Sequence, residues 1–149
     1  METDTNKWQL TYDGIACELY EDKPYYRFNS SGQIYSGDYK TDSDDDFYNP
    51  MNCTSLKQAE KIQAINKILN LAKKLNDGWK PDYNNLTEQR WTFRILVDGN
   101  GKERVAIGFF TGPENCNNTF VYFRSEKIIK RALIVLGEDV IRKAFANDY

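Results

Sequence analysis

Between two runs of alternating apolar and polar residues stands a four-residue reversal, Asp98-Gly99-Asn100-Gly101, and no other stretch restricts the fold so tightly. Trp91, Phe93, Ile95 and Val97 share one side by their period of two, and Val105, Ile107 and Phe109 return on the matching side. A slip of one residue would carry every one of these side chains to the wrong face, so the sequence predicts a hairpin with a fixed register. The intervening residues are Arg90, Thr92 and Arg94 on the first strand and Arg104, Ala106, Gly108 and Phe110 on the second. They share the opposite face, which is predicted to be cationic with a ring at hand. Arginine forks beside an aromatic plane suit phosphate-bearing or acidic partners.

The neighbouring segments place this hairpin. Ser55 followed by Gln58 has the form of a capping box, and Leu56, Ala59, Ile62, Ile65, Ile68, Leu69, Ala72 and Leu75 recur every three or four residues, which predicts a long helix. Lys73 and Lys74 suit its negative end, and Asn76-Asp77-Gly78 offers a left-handed residue for its terminus. Trp8, Leu10 and Tyr12, then Asp13-Gly14, then Ile15, Cys17 and Leu19 read as an earlier hairpin, with a further strand over residues 24–29. Residues 30–53 are polar and read as a long loop with a short strand near 33–39. Another strand is expected over residues 119–123. Ser125 then caps a helix bearing Ile128, Ile129, Ala132, Leu133 and Leu136, and Gly137 separates it from a last short helix with Val140, Ile141, Ala144 and Phe145.

Hairpin turns in place of βαβ crossovers point to the α+β class. The expected architecture is an antiparallel sheet of about five to six strands, with one long helix and two C-terminal helices packed on one face. The 149 residues suit a single domain, made of an acidic meander and loop over residues 1–54 followed by the helix, hairpin, strand and two helices of residues 55–149.

Composition removes several chemistries. The chain has no histidine, which excludes Ser-His-Asp and Cys-His nucleophile pairs and the HExxH zinc site. Its 20 basic and 22 acidic residues leave a net charge of −2, far from a histone-like cation or an acidic DNA mimic. No apolar run approaches the roughly 18 residues that span a bilayer, and METDTNK has neither the basic nor the apolar region of a leader, so a cytoplasmic, non-membrane protein is expected. Cys17, Cys53 and Cys116 are odd in number and widely spaced, unlike a metal knuckle or a disulfide framework.

Three motifs fall short of their chemistry. Asp42-Ser43-Asp44-Asp45-Asp46 resembles the start of a calcium loop, but Phe47 stands where the turn glycine is needed and Cys53 where a closing glutamate belongs. Gly99-x-Gly101 lacks the third glycine of a phosphate loop and leads into a strand. Pro81-Asp82 opens like a restriction-type nuclease motif, yet no Asp/Glu-x-Lys triplet follows. No catalytic residue, cofactor or metal ligand set is assigned.

Charge is distributed unevenly. Residues 1–54 hold four basic against eleven acidic side chains, and residues 55–149 hold sixteen against eleven, with Lys127, Lys130 and Arg131 adding cations beyond the hairpin. The connector Gly78-Trp79-Lys80-Pro81-Asp82-Tyr83-Asn84-Asn85 carries two large rings and a rigid proline, which exposed loops seldom do without a packing or a binding role. Trp79 is suited to covering the end of the helix-sheet core, with Asp82 or Asn84 holding turn amides.

Leu75-Asn76-Asp77-Gly78-Trp79-Lys80-Pro81-Asp82-Tyr83-Asn84-Asn85, with Val121-Tyr122-Phe123-Arg124-Ser125-Glu126 and the stretch from Ala132 to Asp139, resembles a group of small proteins from bacteriophages and gut Bacteroides-type genomes. In that group a helix ends in L-N-x-G-W-K-P-D-W-N and an F-x-S-E-x-x-A helix closes the domain. Tyr83 replaces the frequent tryptophan, and the acidic first third has no counterpart. The resemblance covers roughly residues 60–145. It implies a phage or mobile-element origin and transfers no activity.

The resulting expectation is a non-enzymatic accessory binding protein, phage-encoded, that engages a host or defence protein in the host cytosol, an inhibitor being its most concrete form. The contact candidates are Trp79, Lys80, Tyr83, Arg90, Arg94, Arg104 and Phe110. Two alternatives stay open: binding of nucleic acid or a nucleotide through the cationic face, and a histidine-free hydrolase that uses carboxylates and a divalent ion.

Overall fold

The computed structural model describes residues 24–38, 53, 55–112 and 119–148. Contacts divide the chain into two units, Met1–Glu60 with Asp148–Tyr149, and Lys61–Asn147. In the first unit, β1 (Pro24–Phe28) and β2 (Ile34–Asp38) form an antiparallel hairpin. Its turn is held by the Asn29 side chain, whose Oδ1 accepts the N–H groups of Ser31 and Gln33 at 2.9 Å each, and by Gly32 at φ +76°. On the far edge of β1, Tyr26 and Cys53 exchange main-chain hydrogen bonds of 2.7 and 2.8 Å.

Helix α1 (Leu56–Asn76) begins in this unit, where Ser55 Oγ accepts the Gln58 N–H at 3.0 Å, and runs into the second. It ends where the chain turns left-handed at Asp77 (φ +48°) and Gly78 (φ +78°). The second unit continues with β3 (Arg90–Val97), β4 (Glu103–Phe110), α2 (Glu126–Leu136) and α3 (Glu138–Phe145). Ser125 caps α2 by accepting the Ile128 N–H at 3.3 Å. Gly137, at φ +78°, closes α2 and opens α3.

The register of β3 and β4 pairs Trp91 with Phe109, Phe93 with Ile107 and Arg94 with Ala106. Asp98 fixes the tip: its side chain accepts the N–H groups of Asn100 and Lys102 at 2.9 Å each, and Gly101 supplies a residue at φ +78°. One face of the hairpin enters the core. Phe93 packs edge-on to Phe123 at 5.5 Å between ring centres, within a cluster that includes Ile68 and Ala72 of α1, Ile129 of α2 and Ile141 of α3. Trp91, Ile95, Val105 and Ile107 flank it.

The expected sheet of five to six strands is corrected by this arrangement. Among the described residues four strands form two separate two-stranded antiparallel sheets, accompanied by three helices. The strands expected over residues 8–12 and 15–19, and the Asp42 to Asp46 stretch, lie outside the described residues. Residues 119–123, expected as a strand, make only an isolated bridge in which Trp91 and Phe123 exchange bonds of 3.0 and 2.7 Å. Side chains meet the other main-chain groups there. Thr119 Oγ1 accepts the Val121 N–H, while Asn76 donates to the Tyr122 carbonyl at 2.8 Å and accepts the Arg124 N–H at 3.1 Å. The Thr119 bonds engage the Val121 groups that would form the next pair with β3, so the ladder ends after one pair, while Asn76 holds groups that point away from β3. Among the described residues no helix is long and apolar enough to cross a membrane.

Candidate functional site

Strand parity puts Arg90, Thr92, Arg94 and Leu96 on the face of β3 turned from the core, opposite Phe110, Gly108, Ala106 and Arg104 of β4. Along this row the environment changes abruptly. Arg90 is buried, with 1% of its surface exposed. Its Nη2 donates to the Gly112 carbonyl at 2.6 Å, and its guanidinium lies 4.6 Å from the ring centre of Tyr83 and 5.7 Å from that of Tyr122. Nε and Nη1 of Arg90 are buried without a hydrogen-bond partner. The expectation of Arg90 as a solvent-facing contact is therefore corrected: the loop carrying Tyr83 covers it, and it takes no part in an open cationic surface. Thr92, also buried, shares a hydroxyl hydrogen bond of 2.7 Å with Thr119.

Two residues on, the cover is gone. Arg94 is exposed, its guanidinium 4.6 Å from the Phe110 ring centre, and no hydrogen bond or ion pair engages it among the described residues. It rests over Gly108, where an added Cβ would come within 2.7 Å of Arg94 Nε. The absence of a side chain at Gly108 lets the guanidinium lie flat across β4 and reach the ring. Arg104 is exposed further along the same row.

Beside Arg94 a groove of about 520 Å³ follows the outer edge of β3, walled by Leu96, Phe110, Thr119, Phe145 and Asn147. That volume lies within the range of ligand sites, and no acidic side chain lines the groove among the described residues. Its chemistry is one unopposed cation, hydroxyl and amide groups, and aromatic walls. No carboxylate, thiol or amine stands among its described lining residues.

The connector from α1 to β3 forms a separate feature. Glu88 organises it by accepting the Asp82 N–H at 2.8 Å and the Trp79 indole N–H at 3.4 Å. Asp82 Oδ1 accepts the Asn84 N–H at 3.0 Å. Trp79 is half-buried and lines a second hollow with Trp91 and Arg124, Lys80 is exposed, and Tyr83 shows 40% of its surface while covering Arg90. The seven candidates thus separate: Arg94, Arg104 and Phe110 share one surface, and Trp79, Lys80 and Tyr83 belong to the connector that closes over Arg90. Thr119, Phe145 and Asn147 join the groove without a prior sequence signal.

Elsewhere, burial pushes the Cys53 thiol above its usual range, which keeps it protonated and inert at neutral pH. The hydrogen bond and charge of Asp148 raise Lys57. No group of three or more Cys, Asp or Glu side chains that could hold a metal ion occurs among the described residues. Compared with known proteins, the chain matches no family model, no curated protein and no solved structure.

Proposed function

We propose that this chain is a non-enzymatic accessory protein, phage-encoded and working in the host cytosol, that docks on an acidic surface of a host or defence protein. The observation that carries this reading is the Arg94 guanidinium, which rests over Gly108 and 4.6 Å from the Phe110 ring centre, with no counter-ion and no acidic groove lining among the described residues. A cation placed in advance loses little conformational freedom on binding, and its unmet donors reward a carboxylate. The phage origin rests on the resemblance of residues 75–85, 121–126 and 132–139 to proteins of bacteriophages and gut Bacteroides-type genomes.

The nucleic-acid reading draws less support. Tracking a phosphate backbone takes several cations, and the burial of Arg90 leaves Arg94 and Arg104 as the exposed arginines of this face. A hydrolase reading has no gathered carboxylate set to build on among the described residues.

The test is capture from host lysate by the wild-type chain and by the paired variant Arg94→Glu, Arg104→Glu, followed by mass spectrometry. The variant is expected to lose the captured protein while keeping its melting temperature. Equal capture by both places the docking surface elsewhere. Oligonucleotide binding that weakens steeply from about 50 to 200 mM salt replaces the protein partner with nucleic acid.

A further inference from the structure

The outer edge of β3 gives this docking surface a second component. A residue in an antiparallel strand points its N–H and C=O to the same side, and the side alternates along the chain. Both main-chain groups of Trp91 bond to Phe123, so they point away from β4. Asp98 donates to the Lys102 carbonyl at 3.0 Å and so points toward β4, which gives the same parity from the other end of the strand. Phe93, Ile95 and Val97 therefore direct their main-chain groups outward with Trp91. The bridge to Phe123 is a single pair, and after it the Val121 main-chain groups turn to the Thr119 hydroxyl, which itself bonds to Thr92. Phe93 is enclosed by the core. Beyond it, Ile95 and Val97 have outward N–H and C=O groups with no partner among the described residues, and Ile95 lies in the wall of the groove that contains Arg94.

An open strand edge in a groove is the setting in which an extended peptide adds as a further strand, with main-chain bonds supplying affinity and alternate side chains supplying choice. The charge decides what kind of peptide. Among the described residues Arg94 has no counter-ion and the groove has no acid, and Arg104 follows Arg94 on the same face. We infer that the groove receives an extended acidic segment of a partner protein as an added strand, its main chain bonded to Ile95 and Val97 and one of its carboxylates to Arg94. This inference rests on the reading of the Arg94 face as a protein-docking surface and adds how the partner is held.

The test uses the full chain, labelled with ¹⁵N on its amides and ¹³C on its aromatic rings, and a capped seven-residue peptide of alternating valine and glutamate. Its comparator is the same peptide N-methylated at alternate residues, which keeps the charge and blocks the pairing edge. The expected result is movement of the Ile95 and Val97 amide signals, slower hydrogen exchange at both, and at least about tenfold weaker binding of the methylated peptide, as suits the loss of one or two hydrogen bonds. Arg94→Glu should abolish the response. Gly108→Ala should weaken it at unchanged melting temperature, because the added methyl displaces the guanidinium. If the Phe110 ring signals move while the Ile95 and Val97 amides stay still, or if both peptides bind alike, strand addition is wrong and acid recognition by Arg94 survives. Responses at Val105 and Ile107 would move the docked strand to the β4 edge and overturn the proposal. The proposal also fails if the Ile95 and Val97 signals shift with protein concentration alone, since a second copy of the chain then occupies the edge. No response to millimolar peptide removes both strand addition and the acidic-partner reading.

Discussion

The two ends of the β3–β4 hairpin are built on the same alternation and behave differently. At the base, Arg90 and Thr92 point away from the core yet are buried, because Tyr83, Tyr122 and Thr119 lie over them. Toward the tip, Arg94 and Arg104 occupy the same row in the open. Period two assigns a residue to a face, but whether that face meets water depends on loops contributed from elsewhere in the chain. At the base those loops convert a cation into a packing element whose long stem and flat head fill the space between rings. At the tip the same residue type remains available for a partner.

This contrast is sharpest in stability. Phe93→Ala is expected to cost about 3–5 kcal/mol, since it removes a ring from the buried cluster against Phe123. Urea denaturation measures it, and a loss below about 1 kcal/mol would mean that the base is loosely packed. Arg90→Ala should cost roughly 2–3 kcal/mol through the lost Gly112 bond, the emptied space and the freed tyrosines. Arg90→Met, which keeps the stem and removes two buried nitrogens that lack partners, should recover more than half of that. If Arg90→Ala is as mild as a surface change, base and tip do not differ. At the tip Gly101→Ala should cost about 1 kcal/mol from backbone strain alone, because φ is +78° and no atom stands near the added carbon. Arg94→Ala should stay within about 0.5 kcal/mol of wild type in the same titration while removing partner capture. A large loss of stability there would make Arg94 structural and erase the distinction.

The sequence was legible where chemistry is local. Asp98 and Gly101 define their turn through bonds and dihedral angles that lie within a few residues, and the capping serine Ser55, the left-handed end of α1 and the alternation of β3 and β4 are equally local. The strand expected at residues 119–123 failed for a different reason. A further pair would need the Val121 main chain, which the Thr119 hydroxyl takes, and that hydroxyl is placed by its bond to Thr92, 27 positions away. The exposure of Arg90 was misread on the same ground, since Tyr83 and Tyr122 converge on it from either side of the hairpin in sequence. At the candidate site the exposed arginines and Phe110 followed from parity. Thr119, Phe145 and Asn147 did not, because no pattern in the chain announces that the end of α3 borders β3.

Gly137 has a bearing on that border. It is the one hinge between α2 and α3, at φ +78° and ψ 155°, a conformation open to glycine and strained for any other residue. The angle at which α3 leaves α2 is set at this single pivot, and α3 delivers Phe145 to the groove. The width of the recess beside Arg94 can thus be tuned from a position outside its lining, so a change in the shape of the site need not involve the residues that form it.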